Sequence, residues 1–238
     1  MVASIIILAL GAVMSCVFIV SKVTNYTWKT IIFKTIASLF FVALGIVCCC
    51  LNNSGHILFK VFTVLGLFFG LLGDVFLGFK YITTKTKKLW ILLGGFTFGL
   101  GHIFYTIGLL TEFYVPGNVV FIILPFVLPI AFVSIYLPIA KKVGIKFEKG
   151  LIYFAIAYIY CLTTVLSSSL SMVCLHRFSL VTLVMFFIGA INFACSDFML
   201  TGAYFKPGKR PKAYNAVYSV FYYIAQFVIA FSIFFLGL

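Results

Sequence analysis

The chain has 238 residues, 64% of them hydrophobic and only 9% charged, and its mean hydropathy is +1.26. Soluble proteins carry about 25% charged and about 45–50% apolar residues, and one domain of this length has too little interior to hide that much hydrocarbon, so a water-soluble fold is excluded. The 17 basic and 4 acidic residues give a net charge of +13. Nucleic-acid binding would need those cations on one folded surface with aromatic stacking partners, whereas here they are scattered between apolar runs.

A membrane span takes about 20 apolar residues, and eight are predicted, at about 2–20, 31–51, 57–79, 89–110, 119–138, 150–170, 178–201 and 213–236. The connections are short and polar, so residues 1–238 read as a single integral membrane domain, an all-α polytopic bundle. No positive residue precedes the apolar run of span one and no clear cleavage site follows it, so it reads as a helix rather than a signal peptide. Lys22 and Lys29 follow it in a loop, and Lys34 enters span two from the same side. That span ends in Cys48, Cys49 and Cys50.

In span three, Gly66, Gly70, Asp74 and Gly78 recur every fourth residue and form one stripe. Small residues mark helix contacts in membranes, so Asp74 is expected to face the bundle. Lys80, Lys85, Lys87 and Lys88 follow. Span four carries Gly95, Gly99, His102, Tyr105 and Thr106 on one side, with Glu112 beyond its end. The loop after span five holds Lys141, Lys142, Lys146, Glu148 and Lys149. Span six has a weaker polar series of Tyr153, Tyr160, Thr164 and Ser167, and Cys174 follows on the side of the Cys48–Cys50 run, where a bridge is one option. Span seven contains Asp197 and leads to Lys206, Lys209, Arg210 and Lys212. Span eight starts with Tyr214, read as an interfacial anchor, and continues its stripe with Tyr218, Tyr222 and Gln226.

Fourteen of the 17 basic residues fall in the connections after spans one, three, five and seven. By the positive-inside rule those connections are cytoplasmic and both termini are not. The reading is a multi-pass protein of the plasma membrane or endoplasmic reticulum, whose basic loops suit anionic lipid headgroups. No CxxC pair occurs, and His56, His102 and His176 stand far apart, so no metal set is expected. Nothing in the sequence specifies an oligomeric state.

Two of the four acids, Asp74 and Asp197, fall inside spans. A charged carboxylate at mid-membrane costs about 2.5–3.5 kcal/mol on insertion scales, which makes such groups functional candidates. By the topology above both lie five to eight residues from the cytoplasmic ends of their spans, roughly 8–12 Å at 1.5 Å per residue, with Lys34 as a possible counter-ion. His102 and Gln226 lie deeper, about 20 Å in by the same rise. "LLGDVFL" in span three and "ACSDFML" in span seven share an acid followed by a large apolar residue and, two positions later, Leu. Asp74 to His102 is 28 residues and Asp197 to Gln226 is 29. These echoes suggest a parallel 4+4 duplication with a site between the halves.

The stretches "GLLGDVFLGF", "GGFTFGLGHIFY", "IGAINFACSDFML" and "VFYYIAQFVIAFS", in this order on successive helices, resemble the YhhN-type membrane proteins that include the lysoplasmalogenases, over about Lys34 to Ser232. The resemblance implies hydrolysis of the vinyl ether of a lysoplasmalogen, a lysophospholipid, to a fatty aldehyde and glycerophosphoethanolamine or glycerophosphocholine. Vinyl ethers yield to acid, so a proton donor and a carboxylate are needed, as in the two-carboxylate logic of glycosidases. Asp74 and Asp197 are the candidate catalytic pair, in either order, with Lys34, His102, Tyr105, Tyr222 and Gln226 as substrate-binding candidates and no cofactor required. A proton- or cation-coupled transporter built on the same buried acids is the alternative. An intramembrane aspartyl protease is disfavoured, because "LLGD" lacks the first Gly of a GxGD motif and no PAL motif follows.

Overall fold

The structure, a computed structural model, describes residues 2–147, 150–208 and 210–237; Glu148, Lys149 and Lys209, read above as loop residues, lie outside the described residues. Eight helices follow one another: α1 Val2–Thr24, α2 Trp28–Leu51, α3 Ile57–Phe79, α4 Lys87–Phe113, α5 Val120–Lys142, α6 Leu151–Leu175, α7 Val181–Phe205 and α8 Lys212–Ser232. All eight are long and apolar enough to cross a membrane, and no strand occurs among the described residues. Several outrun the predicted spans, because an apolar window measures the hydrocarbon layer whereas the helix continues into the headgroup region. Thus α1 carries Lys22 in its last turn, and α6 takes in Cys174.

Neighbouring helices pair as hairpins, and α8 lies against α1, α2, α3 and α7 at the centre. The peripheral helices are α1 and α5, with 22% and 17% of their apolar windows buried against 61% for α8. A belt of exposed side chains such as Ile6, Leu128, Ile135 and Val220 presents hydrocarbon outward, the arrangement a lipid solvent requires.

One end of the bundle is basic. There the Tyr26 hydroxyl donates to the Gly78 carbonyl at 3.3 Å, and the Lys146 amide donates to the Phe205 carbonyl at 2.8 Å. At the opposite end Lys60 donates to the carbonyls of Asn52 and Ser54 at 2.6 and 2.7 Å, closing the α2–α3 connection. Glu112 holds the start of α3 there, accepting from the Phe59 amide at 3.2 Å and lying 3.0 Å from His56 Nδ1. All seven cysteines are free, so the bridge considered between the Cys48–Cys50 run and Cys174 is not formed.

The α3 stripe is a packing seam. A Cβ on Gly66 would meet the Tyr105 ring at 2.2 Å, on Gly70 the Gln226 amide at 2.7 Å, and on Gly78 Ile31 at 3.1 Å. Helices α2, α4 and α8 therefore approach α3 as only glycine allows. The stripe on α4 is less uniform, since Gly95 packs on Phe154 while Gly99 faces open space.

Candidate active site

Asp74 sits on that seam, 1% exposed, and three donors converge on it. Lys34 Nζ lies 2.8 Å from Oδ1, while Ser38 Oγ and the Tyr222 hydroxyl donate to Oδ2 at 2.5 and 2.7 Å. Lys34 and Ser38 are four residues apart on α2 and share a face, so one turn of that helix supplies both the counter-charge and a hydroxyl. Behind Tyr222 the network continues: Gln226 Nε2 donates to the Tyr222 oxygen at 3.0 Å, and the Tyr105 hydroxyl donates to Gln226 Oε1 at 3.2 Å. A buried carboxylate is tolerable when paired and fully hydrogen-bonded, and Asp74 meets that condition.

Asp197, on α7, is 6% exposed and differently held. The Tyr158 hydroxyl of α6 donates to its Oδ2, and among the described residues no cation pairs with it. Both aspartates line one cavity, with Lys34, Tyr158 and Tyr222 on its wall. Its empty volume is about 1050 Å³ including the open mouth, at the upper end of ordinary ligand pockets. Phe98 lies at its inner limit, stacked edge-on against Phe193 and Tyr222 with ring centres 6.0 and 5.9 Å away.

Of the residues singled out in the sequence, Lys34, Asp74, Asp197 and Tyr222 thus come together on the cavity. Tyr105 and Gln226 stand behind it and reach Asp74 only through Tyr222. His102 is also off the wall, 1% exposed, packed edge-on against Phe193 at 4.8 Å, and its ring nitrogens bond to no described residue. The reason is depth, because His102 and Tyr105 lie one and two turns beyond Phe98 on α4.

The polar series read on α6 is corrected by the structure. Tyr153 is 78% exposed, and Tyr160 donates outward to the Phe126 carbonyl at 3.1 Å. Ser167 donates to the Pro125 carbonyl at 2.9 Å. Pro129, four residues on, has no N–H to offer that carbonyl, so Ser167 serves the proline-broken ladder of α5. The α6 residue that faces the cavity is Tyr158, which the series passes over. Ser38 also escapes the sequence reading, although its position one turn from Lys34 is a usable signal.

At the mouth, Tyr26 and Tyr81 stack with ring centres 4.3 Å apart, and Lys80 lies over the faces of Tyr81 and Tyr204. Burial, followed by the charges of Lys22 and Lys34, holds the Lys80 ammonium well below the ordinary lysine range. Burial likewise raises the phenols of Tyr26 and Tyr81, so the tyrosines there act as neutral donors and ring faces. No group of three or more metal-ligating side chains occurs among the described residues.

No curated protein and no solved structure matches the chain significantly. A sequence model of the YhhN family does match, over residues 29–233, a stretch that contains Lys34, Ser38, Asp74, Tyr158, Asp197 and Tyr222 and leaves out α1. On that match the chain, most of whose length and nearly all of whose cavity wall it spans, belongs to the YhhN family.

Proposed function

We propose that the chain is a lysoplasmalogenase-like hydrolase that cleaves the vinyl ether of a lysophospholipid by acid catalysis. The observation that carries this reading is the unequal holding of two carboxyl groups on one cavity, Asp74 by Lys34, Ser38 and Tyr222, and Asp197 by Tyr158 alone. A carboxyl group with no cation partner in an apolar cavity is suited to carry a proton, and a carboxylate locked to an ammonium is suited to keep its charge. Asp197 is therefore assigned as the donor and Asp74 as the fixed charge.

The chemistry follows from those roles. Asp197 transfers its proton to the outer alkene carbon, and the vinyl π pair forms the new C–H bond, leaving an oxocarbenium ion on the inner carbon. The negative charge of Asp74 stabilises that cation and orients water toward it. Water adds its oxygen to the inner carbon and loses a proton to the cavity's carboxylates, giving a hemiacetal. The hemiacetal then breaks its bond to the glycerol oxygen, which takes up a proton while the hemiacetal hydroxyl gives its proton to a cavity carboxylate as the C=O bond forms, and aldehyde and glycerophosphodiester leave with one water consumed overall.

The test is to give the purified protein lysolipids with vinyl-ether, alkyl-ether and acyl chains and to measure aldehyde and free fatty acid. Aldehyde from the vinyl-ether lipid alone, lost in Asp74→Asn and Asp197→Asn, is the expected result. Uptake of a solute driven by a pH gradient, with no product released from any lipid, would replace this reading by the transporter.

A further inference from the structure

The mouth of the cavity holds more positive charge than its carboxylates balance. Lys34 is neutralised by Asp74 at 2.8 Å, and the only other ion pair among the described residues, His56 with Glu112, is at the opposite end of the bundle. Lys22 remains. In the last turn of α1, it lines the cavity; its Nζ donates to Ser219 Oγ at 2.6 Å and lies 3.8 Å from the centre of the Tyr218 ring. The Phe18 ring lies farther off, its centre 5.6 Å from Nζ, so one neutral hydroxyl and two ring faces surround an ammonium that carries three hydrogens, and Ser219 is the one oxygen bonded to it among the described residues.

Resting on the hydrolase reading, we infer that Lys22 binds the phosphate of the substrate's headgroup, with Ser219 and Tyr218 fixing the ammonium. The ligand class is an anionic phosphodiester joined through glycerol to the reacting ether. Position favours this assignment. Lys22 lies two residues from the end of α1 and Asp74 five from the end of α3, at the same end of the bundle, so Lys22 is shallower by about one helical turn, ~5 Å. The three glycerol carbons separate phosphate from ether oxygen in the same direction, with the alkenyl chain pointing inward. Lys34 cannot serve both ends, because a phosphate drawing it away would leave Asp74 without its counter-ion. Lys22 also lies before residue 29, where the family match begins, so the phosphate contact belongs to α1 of this chain.

The experiment uses the purified full chain in bicelles and two substrates with the same alkenyl chain, lysoplasmenylethanolamine and phosphate-free 1-alkenylglycerol. The readout is the ratio of their kcat/KM values. Lys22→Met is expected to lower this ratio about tenfold or more, chiefly through KM, as loss of a charge-assisted contact should, and Lys22→Arg to restore most of it. A ratio unchanged in Lys22→Met, or equally lowered in a well-folded Lys22→Arg, would overturn the assignment. Binding of an uncleavable alkyl-ether lysophosphatidylethanolamine, followed by calorimetry, reads the site without hydrolysis and should weaken about tenfold in Lys22→Met. If the wild type releases no aldehyde yet shows that weakening, the phosphate site stands and the hydrolase reading falls; aldehyde release with no Lys22 effect on ratio or binding keeps the hydrolase and overturns the phosphate site. Glycerophosphoethanolamine should compete with the lipid and inorganic phosphate at the same concentration should not, and equal competition by inorganic phosphate would overturn the headgroup assignment.

Discussion

Asp74 owes its place in the membrane to three partners, and removing them separately has different consequences. Asp74→Asn keeps the shape and removes the charge, and Asp197→Asn removes the assigned proton; each is expected to lower kcat by about 10²–10⁴-fold, the usual contribution of general acid–base groups, with little change in melting temperature for Asp197→Asn, which breaks no ion pair, and a fall for Asp74→Asn, which leaves the Lys34 ammonium unpaired. Lys34→Met instead strands a buried carboxylate, a change that costs about 3–5 kcal/mol when one partner of a buried pair is removed. The double variant Lys34→Met/Asp74→Asn should therefore melt above the Lys34→Met single variant, a non-additivity that a double-mutant cycle in detergent measures directly. Equal melting temperatures for the two would show that the ion pair is not what makes Asp74 tolerable. Tyr158→Phe removes the hydroxyl that holds Asp197. A hydrogen bond between neutral groups is worth about 0.5–1.5 kcal/mol, so kcat should fall about 2–10-fold while KM stays close to wild type, and a loss confined to KM would move Tyr158 from orienting Asp197 to binding lipid.

On the helices, the glycines of α3 and α4 separate packing from propensity. A methyl on Gly66 would enter the Tyr105 ring, whose hydroxyl ends the chain of bonds through Gln226 and Tyr222 to Asp74. Gly66→Ala should thus lower both the melting temperature and the rate, because the ring cannot move without disturbing Gln226. Gly99→Ala meets nothing within 4 Å and should be neutral or slightly stabilising, as alanine in a helix is by roughly 0.5–1 kcal/mol over glycine. Thermal unfolding of the two variants beside the wild type checks the contrast, and equal effects would mean that the α3 seam is looser than its contacts imply. The same elements mark what can be read from the chain. The α3 stripe is legible because its four-residue spacing and its acid fall on one face. The polar face of α6 is not, since Tyr160 and Ser167 serve carbonyls of the proline-rich α5, a demand set by another helix and invisible in the periodicity of α6 itself.

For the molecule as a whole, hydropathy is enough to find eight spans, because a lipid solvent leaves helices as the only elements of that length. The cations around the two acids are only half legible: Lys34 stands out as a charge at a span's edge, while Lys22 reads as a loop residue in the hydropathy and reaches the cavity only because α1 extends past its apolar run. Each acid is held from the helix before its own, Asp74 by Lys34 40 residues earlier and Asp197 by Tyr158 39 residues earlier. That spacing parallels the likeness of the two acid-bearing stretches in the sequence, and Tyr222 of α8 reaches Asp74 from a third helix. Orientation is decisive for the proposed hydrolase, because both acids open toward the basic end and the leaflet found there would supply the lipid. The positive-inside rule predicts that this leaflet is the cytoplasmic one. In a background with the other cysteines replaced, Cys174, exposed at the opposite end, should react with a membrane-impermeant maleimide in sealed right-side-out vesicles. A single cysteine in place of the exposed Lys141 should react only after permeabilisation. The reverse pattern would place the cavity on the outer leaflet, and the lysolipid would then have to arrive from outside the cell or from the lumen.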